Sequence, residues 1–169
     1  MRNKEETKQK LLDAVSKIIL RDGFKSVGIN TIAKEAGVDK VLIYRYFGSL
    51  EGLLKIYISQ KDYFGNLKEF IGGPEEIKTT DQAIEAAKKV FIGQLRSIRK
   101  NKELQEILLW ELNNRNKITV SVARKREAVS MYFVKAIEKN ISFEKSDIRA
   151  ILSIFSSSIY YMVLRAKTV

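Results

Sequence analysis

Residues 29–47 read INTIAKEAGVDKVLIYRYF, and two short helical patterns meet in this stretch at Gly37-Val38-Asp39. Ile29, Ile32, Ala33 and Ala36 recur at i, i+3, i+4 and i+7, which puts one apolar face on the first helix. Gly37 follows that face directly, where a helix end favours a residue free to take positive φ. Asp39 stands where the second helix needs an N-cap, since its carboxylate can accept the free N–H groups of the first turn. Val38, between the two ends, is expected to be buried in the angle between the helices. This is the layout of a helix-turn-helix, whose second helix enters the DNA major groove. A plain helical hairpin inside an all-α core has the same pattern, so the rest of the chain has to decide between them.

Composition narrows the choice. The chain has 169 residues, enough for one or two domains with a buried core. It contains no Cys and no His, which removes disulfides, thiolate chemistry, histidine general bases and most zinc sites. A metal site and a cofactor are not expected. Lys and Arg number 31 against 20 Asp and Glu, a net charge of +11, and such an excess draws polyanions to the surface. The excess is spread along the whole chain. Residues 1–60 hold 11 basic and 7 acidic groups, so solubilising surface lysines account for the balance about as well. The start MRNKEETKQK has no apolar run and does not read as a signal peptide. The most apolar stretch, Ala150 to Leu164, is shorter than the roughly 20 residues that cross a bilayer. No membrane contact and a cytoplasmic location are expected.

On either side of the quoted stretch the pattern is helical. Asn3, with Glu6 three residues on, makes a capping box for a first helix whose stripe is Leu11, Leu12, Val15, Ile18 and Ile19. Gly23 ends it, with Phe24 placed to pack back on Ile19. Asn3, Lys4 and Lys8 can approach phosphates from its start. Gly28 caps the second helix. In the third, Ile43 and Phe47 point inward with Val38, leaving Lys40, Val41, Leu42, Tyr44, Arg45 and Tyr46 outward. Ser49 caps a fourth helix carrying Leu50, Leu53, Leu54, Tyr57 and Ile58, expected to reach about Gly65. Glycines and Pro74 then mark a loop. Further helices are expected from Thr80 or Asp81 (with Ile84, Ala87, Phe91, Leu95 and Ile98 inward), from Asn101, over Ile118 to Glu138, and from Ser146. Arg124-Lys125-Arg126 reads as a solvated face. No strand pattern appears.

With Ile32-Ala33, Ala36-Gly37-Val38, Tyr44 and Phe47 in register, residues 7–57 resemble the TetR family of bacterial transcriptional repressors. The I-A-K-E-A-G-V turn and the Y-R-Y-F ending carry the resemblance. It implies an all-α fold, with a three-helix helix-turn-helix DNA-binding domain over residues 1–48. A helical-bundle domain over residues 49–169 would hold an effector and the dimer interface, with 49–65 as the linking helix. Lys40 and Val41 would meet base edges, Tyr44 would contact a phosphate, and Tyr46 a base or backbone. Gly28 and Asn30 would bring a helix N-terminus to the backbone, and Leu42 and Arg45 complete the interface. Three positions depart from the family pattern. Gly28 stands where Thr is favoured, Leu42 where Thr or Ser is common, and Leu50 where Lys usually reaches a phosphate. The family also packs two final helices per subunit at its dimer interface, whereas one candidate, 146–167, is found here. A further helix beyond Val169 is therefore expected.

The implied function is a ligand-responsive repressor that binds a pseudo-palindromic operator in double-stranded DNA as a homodimer, through its C-terminal helix, and is released by a largely apolar small molecule. Phe91, Leu95, Leu108, Trp110, Met131, Tyr132, Phe155 and Tyr160 are the candidates for the effector pocket, though core packing draws on the same residue types. Gly28, Leu42 and Leu50 keep a second reading open: a helical dimer that binds a ligand or protein with weak or no specific DNA binding. An enzyme is not expected, since nothing pairs a nucleophile with a base.

Overall fold

A computed structural model of the chain describes residues 2–61, 77–139, 141 and 145–168. Every regular element among them is helical: α1 (Arg2–Asp22), a 3-10 turn (Phe24–Ser26), α2 (Ile29–Ala36), α3 (Val41–Phe47), α4 (Leu50–Gln60), α5 (Thr80–Lys100), α6 (Lys102–Asn113), α7 (Lys117–Glu138) and α8 (Lys145–Thr168). None of the described helices is long and apolar enough to cross a membrane.

The described residues form two compact units that do not follow a single cut in the chain. The first joins the chain up to residue 61 with Lys102–Val122, and the second joins the chain from Ile77 to Asn101 with that from Ala123 onward. Residues 49–61 and 102–122, expected beyond the first domain, thus belong to its compact unit. The core explains why. Leu11, Val15, Ile18 and Ile19 of α1 are fully buried together with Ile32, Ile43, Leu53, Leu104 and Ile107, so α2, α3, α4 and α6 all contribute side chains to it. Removing α6 would uncover several of these aliphatics, each worth about 1.5–3 kcal/mol of burial.

Local ends follow residue chemistry. Gly37 takes φ 65° and ψ 36°, and its N–H donates to the Lys34 carbonyl while the Val38 N–H donates to that of Ala33. Both bonds of a Schellman ending are therefore made, and they turn the chain sharply between α2 and α3. Ser49 Oγ accepts the Gly52 N–H at 3.0 Å and caps α4 as expected, while Asp39 lies one residue ahead of Lys40, the N-cap of α3, and accepts the Val41 N–H at 2.8 Å through Oδ1.

The end of α1 departs from expectation. Gly23 has φ 77° but an extended ψ of 168°, so the chain leaves the helix instead of closing a Schellman turn. The Phe24 N–H donates to Glu106 of α6, at 3.3 Å. A Cβ on residue 23 would stand 2.9 Å from the end of that flexible side chain, so the positive φ is what calls for glycine here. Asn3 also differs: α1 already begins at Arg2, so Asn3 lies within the first turn. The fourth helix ends at Gln60, short of Gly65, and Lys61 is extended; residues 62–76 are outside the described set.

In the second unit, Thr79 caps α5 through a complete capping box with Gln82, one residue before the expected start. Its buried face is Ala83, Ala86, Val90, Gly93, Gln94 and Ile98. The expected stripe is rotated, leaving Ile84 exposed. Small side chains on the buried face let Phe133, Ala136 and Ile137 of α7 close against it, and close packing outweighs the larger but misplaced aliphatics.

Candidate nucleic-acid interface

Of the third helix, only Ile43 is buried. It anchors a helix on which Leu42, Tyr46 and Phe47 are half-buried and Val41, Tyr44 and Arg45 are exposed. Val41 is 59% exposed and Tyr44 51%, and Lys40 and Arg45 are exposed as well. Leu42 and Tyr46 are half-buried. Val41 and Tyr44 thus set an aliphatic and an aromatic side chain beside two cations on one short, exposed surface. The structure brings Lys40, Val41, Tyr44 and Arg45 to one short helix, as the sequence implied.

Two neighbouring elements add to this face. Lys4, near the start of α1, holds its ammonium 5.9 Å from the centre of the Tyr46 ring. The pair orients Tyr46 and brings a positive charge beside α3. Gly28, half-buried and extended at φ −151°, caps α2 without a side-chain bond. Asn30, one residue into that helix, is exposed. The first N–H groups of an α-helix have no intrahelical acceptor, so this end can take a phosphate oxygen.

The mounting of this face was not evident from sequence. Glu103 of α6 accepts the Ser16 hydroxyl at 2.7 Å and the Lys61 ammonium at 3.1 Å. Trp110 of α6 stacks on Phe24 with ring centres 3.9 Å apart and planes within 16°. Between α1 and α2, Arg21 bonds Glu35 at 2.9 Å. The helix-turn-helix is therefore braced by α1 and, behind α1, by α6. These contacts join residues from 14 to 87 apart in sequence, and no local pattern announces such pairs.

The eight candidate effector residues do not come together as one set. Leu108 and Trp110 belong to the first unit, where Leu108 is buried and Trp110 is engaged with Phe24. Phe91, Leu95, Met131, Tyr132, Phe155 and Tyr160 belong to the second. There Phe91 and Phe155 meet with ring centres 5.2 Å apart, and Tyr160 accepts a hydrogen bond from Gln94 at 2.9 Å. Arg126, read from sequence as part of a solvated face, is half-buried and lies 5.3 Å from the centre of the Tyr160 ring. Gln94 and Arg126 were missed because neither stands at an aromatic or aliphatic position. The one hint was that Gln94 follows Phe91 by a single turn.

Comparison with known proteins bears on this geometry. Residues 11–55 match the family of bacterial regulatory proteins described as tetR. Two uncharacterized HTH-type transcriptional regulators of Mycobacterium tuberculosis, from strains CDC 1551 and H37Rv, are each 25% identical over 129 residues. That match takes in 76% of this chain and spans 60% of the length of either relative. In three dimensions the chain is similar over its whole length to 89% of NalD, the secondary repressor of the MexAB-OprM multidrug efflux pump in Pseudomonas aeruginosa. The TM-score is 0.58 at 14% identity, a likeness of fold.

Proposed function

We propose, from a chain whose residues 11–55 belong to the tetR family of bacterial regulatory proteins, that it is a DNA-binding transcriptional repressor released by a small molecule. It groups with transcriptional regulators and not with enzymes. The observation that carries the DNA reading is the outward set Lys40, Val41, Tyr44 and Arg45 on α3, anchored by Ile43. Lys40, Val41 and Arg45 read base edges. Tyr44 and the α2 N-terminus, with Gly28 and Asn30, hold phosphates and set the register, as backbone contacts do in such complexes. Leu42 offers apolar contact, suited to a thymine methyl.

The homodimer forms through α8. Ile151, Ile154, Tyr161 and Met162 are exposed along that helix, at spacings that place them on one stripe. A twofold pair of heads then meets a pseudo-palindrome with half-sites about 34 Å apart, one turn of DNA. The effector occupies the second unit near Phe91, Leu95, Met131, Tyr132, Phe155 and Tyr160. It releases the operator to the extent that it prefers a conformation in which the heads no longer match that spacing. The repressor sense is supported by NalD, itself a repressor. The cytoplasm, where the operator is, is the compartment this function requires.

Selection of bound sequences from random DNA, followed by anisotropy titration at two salt concentrations, tests this reading. A palindromic site bound with steep salt dependence is the expected result. Binding that is weak, insensitive to salt and indifferent to sequence would favour the helical ligand- or protein-binding dimer instead, the reading that Gly28, Leu42 and Leu50 motivate.

A further inference from the structure

In the first unit, two lysines stand over tyrosine rings. Lys61 lies 5.5 Å from the centre of the Tyr57 ring and is also bonded to Glu103 at 3.1 Å. Lys4, near the start of α1, lies 5.9 Å from the centre of the Tyr46 ring and has no ion pair among the described residues. The neighbouring acid Glu5 is taken by Lys8 at 3.0 Å. Lys4 is exposed, and an exposed ammonium on a long flexible stem ordinarily samples many rotamers. The negative face of the Tyr46 ring narrows that choice. It occupies one side of an ammonium that carries three N–H donors, so donors remain for a second partner. Tyr46 and Leu42, one turn apart and both half-buried, flank the exposed Val41, Tyr44 and Arg45. The Lys4 charge therefore stands at the edge of the outward face of α3.

We infer that Lys4 is a phosphate contact of the DNA complex and that Tyr46 is its positioning residue, acting through its ring and not as a base reader. The inference rests on the DNA-binding reading above and adds to it a contact from outside the helix-turn-helix. A helix seated in the major groove, about 12 Å wide, has base edges ahead of it and a phosphate backbone on either flank. The middle of the outward face meets the bases, and a charge at its edge meets the backbone. An ammonium there releases a counterion and strengthens binding to any sequence. The Tyr46 ring holds the lysine near that place before DNA arrives, which lowers the ordering cost of the contact. Tyr46, with its ring turned to Lys4 and its side chain half-buried, is spent on this task.

The test uses the full chain and a fluorescent mixed-sequence DNA duplex, since phosphate contacts carry no sequence information, with anisotropy read over a range of salt. Lys4→Gln should make the slope of log affinity against log salt shallower by about 0.9, one phosphate contact fewer. Lys4→Arg should keep the slope. Tyr46→Phe retains the ring and should bind as the unsubstituted chain does, whereas Tyr46→Leu should bind more weakly. The double variant Lys4→Gln/Tyr46→Leu should lose less than the product of the two separate losses, by about two- to fivefold, the coupling of an exposed cation–π pair. Melting curves identify any loss of fold, and if Tyr46→Leu melts, Tyr46→Phe and the exposed Lys4 variants still decide. Salt-dependent binding with a slope that Lys4→Gln leaves unchanged overturns the contact while the DNA reading stands. Losses that simply multiply, or a Tyr46→Phe variant that binds more weakly than the unsubstituted chain, overturn the positioning role. An unsubstituted chain that shows no salt-dependent binding overturns the DNA reading and this inference with it.

Discussion

The two compact units are held in different ways. In the first, an aliphatic core is tied to its surroundings by directional contacts between distant segments: Phe24 on Trp110, Ser16 and Lys61 on Glu103, and the Phe24 N–H on Glu106. In the second, Ile77, Ala83, Ala86, Val90, Phe133, Ala136 and Ile137 form the apolar cluster. Its polar element is the group around Gln94 and Tyr160. The comparison teaches that one all-helical chain fastens its two units differently, by directional contacts between distant segments in the first and by close-packed small side chains in the second.

The sharpest way to break that comparison is Trp110→Ala. It deletes the stack that joins α6 to the turn after α1 and should destabilise the first unit by about 3 kcal/mol, the lower end for large aromatic truncations. A denaturant midpoint that does not move would mean the stack contributes nothing to the brace. Next, Ile154→Glu places a carboxylate on the exposed stripe of α8, and a twofold interface presents it twice. Sedimentation should then show a shift toward monomer, with dimer affinity down by roughly tenfold or more, as like charges or a desolvated carboxylate at an interface cost over 1.4 kcal/mol. An unaltered dimer would put the interface elsewhere.

Tyr44→Phe removes one hydroxyl. If that group bonds a phosphate, affinity should fall about fivefold for all DNA sequences alike, near 1 kcal/mol for one hydrogen bond; a loss confined to one sequence would make Tyr44 a base reader. Tyr57→Phe sharpens the picture of the first core. The Tyr57 hydroxyl is buried without a hydrogen-bond partner, so its removal should leave stability unchanged or raise it by up to about 1 kcal/mol, read as a melting shift. The smallest effect concerns Leu50, exposed enough at the start of α4 to bear a longer chain. Leu50→Lys should steepen the slope of log affinity against log salt by about 0.9, one added phosphate contact. An unchanged slope would mean that this position does not face the backbone.

Much of the head could be read in the residues. Gly37 had to turn the chain because the left-handed conformation is open to glycine at little cost, and Ser49 caps as a short side chain with an oxygen acceptor does. Reading Ile43 and Phe47 as inward left Lys40, Val41, Tyr44 and Arg45 exposed, as they are, whereas Leu42, Tyr46 and Phe47 are half-buried. The face of α5 did not follow. Counting the larger apolar side chains selected Ile84, Phe91 and Leu95 beside Ile98, and of these only Ile98 lies on the buried face, which otherwise consists of Ala83, Ala86, Val90, Gly93 and Gln94. Hydropathy favours large residues, yet helices approach most closely where side chains are small.

The sequence alone therefore determined the all-α class, the helix-turn-helix and its turn, and the exposure of Lys40, Val41, Tyr44 and Arg45, since periodicity, capping and turn chemistry act over a few residues. Only the tertiary structure decided that α6 and the start of α7 join the first unit, that Trp110 belongs to its brace, and that Arg126 reaches Tyr160 beside Gln94. Those pairings depend on which helix faces meet, and the spacing of residues along one helix carries no information about the helix it will touch.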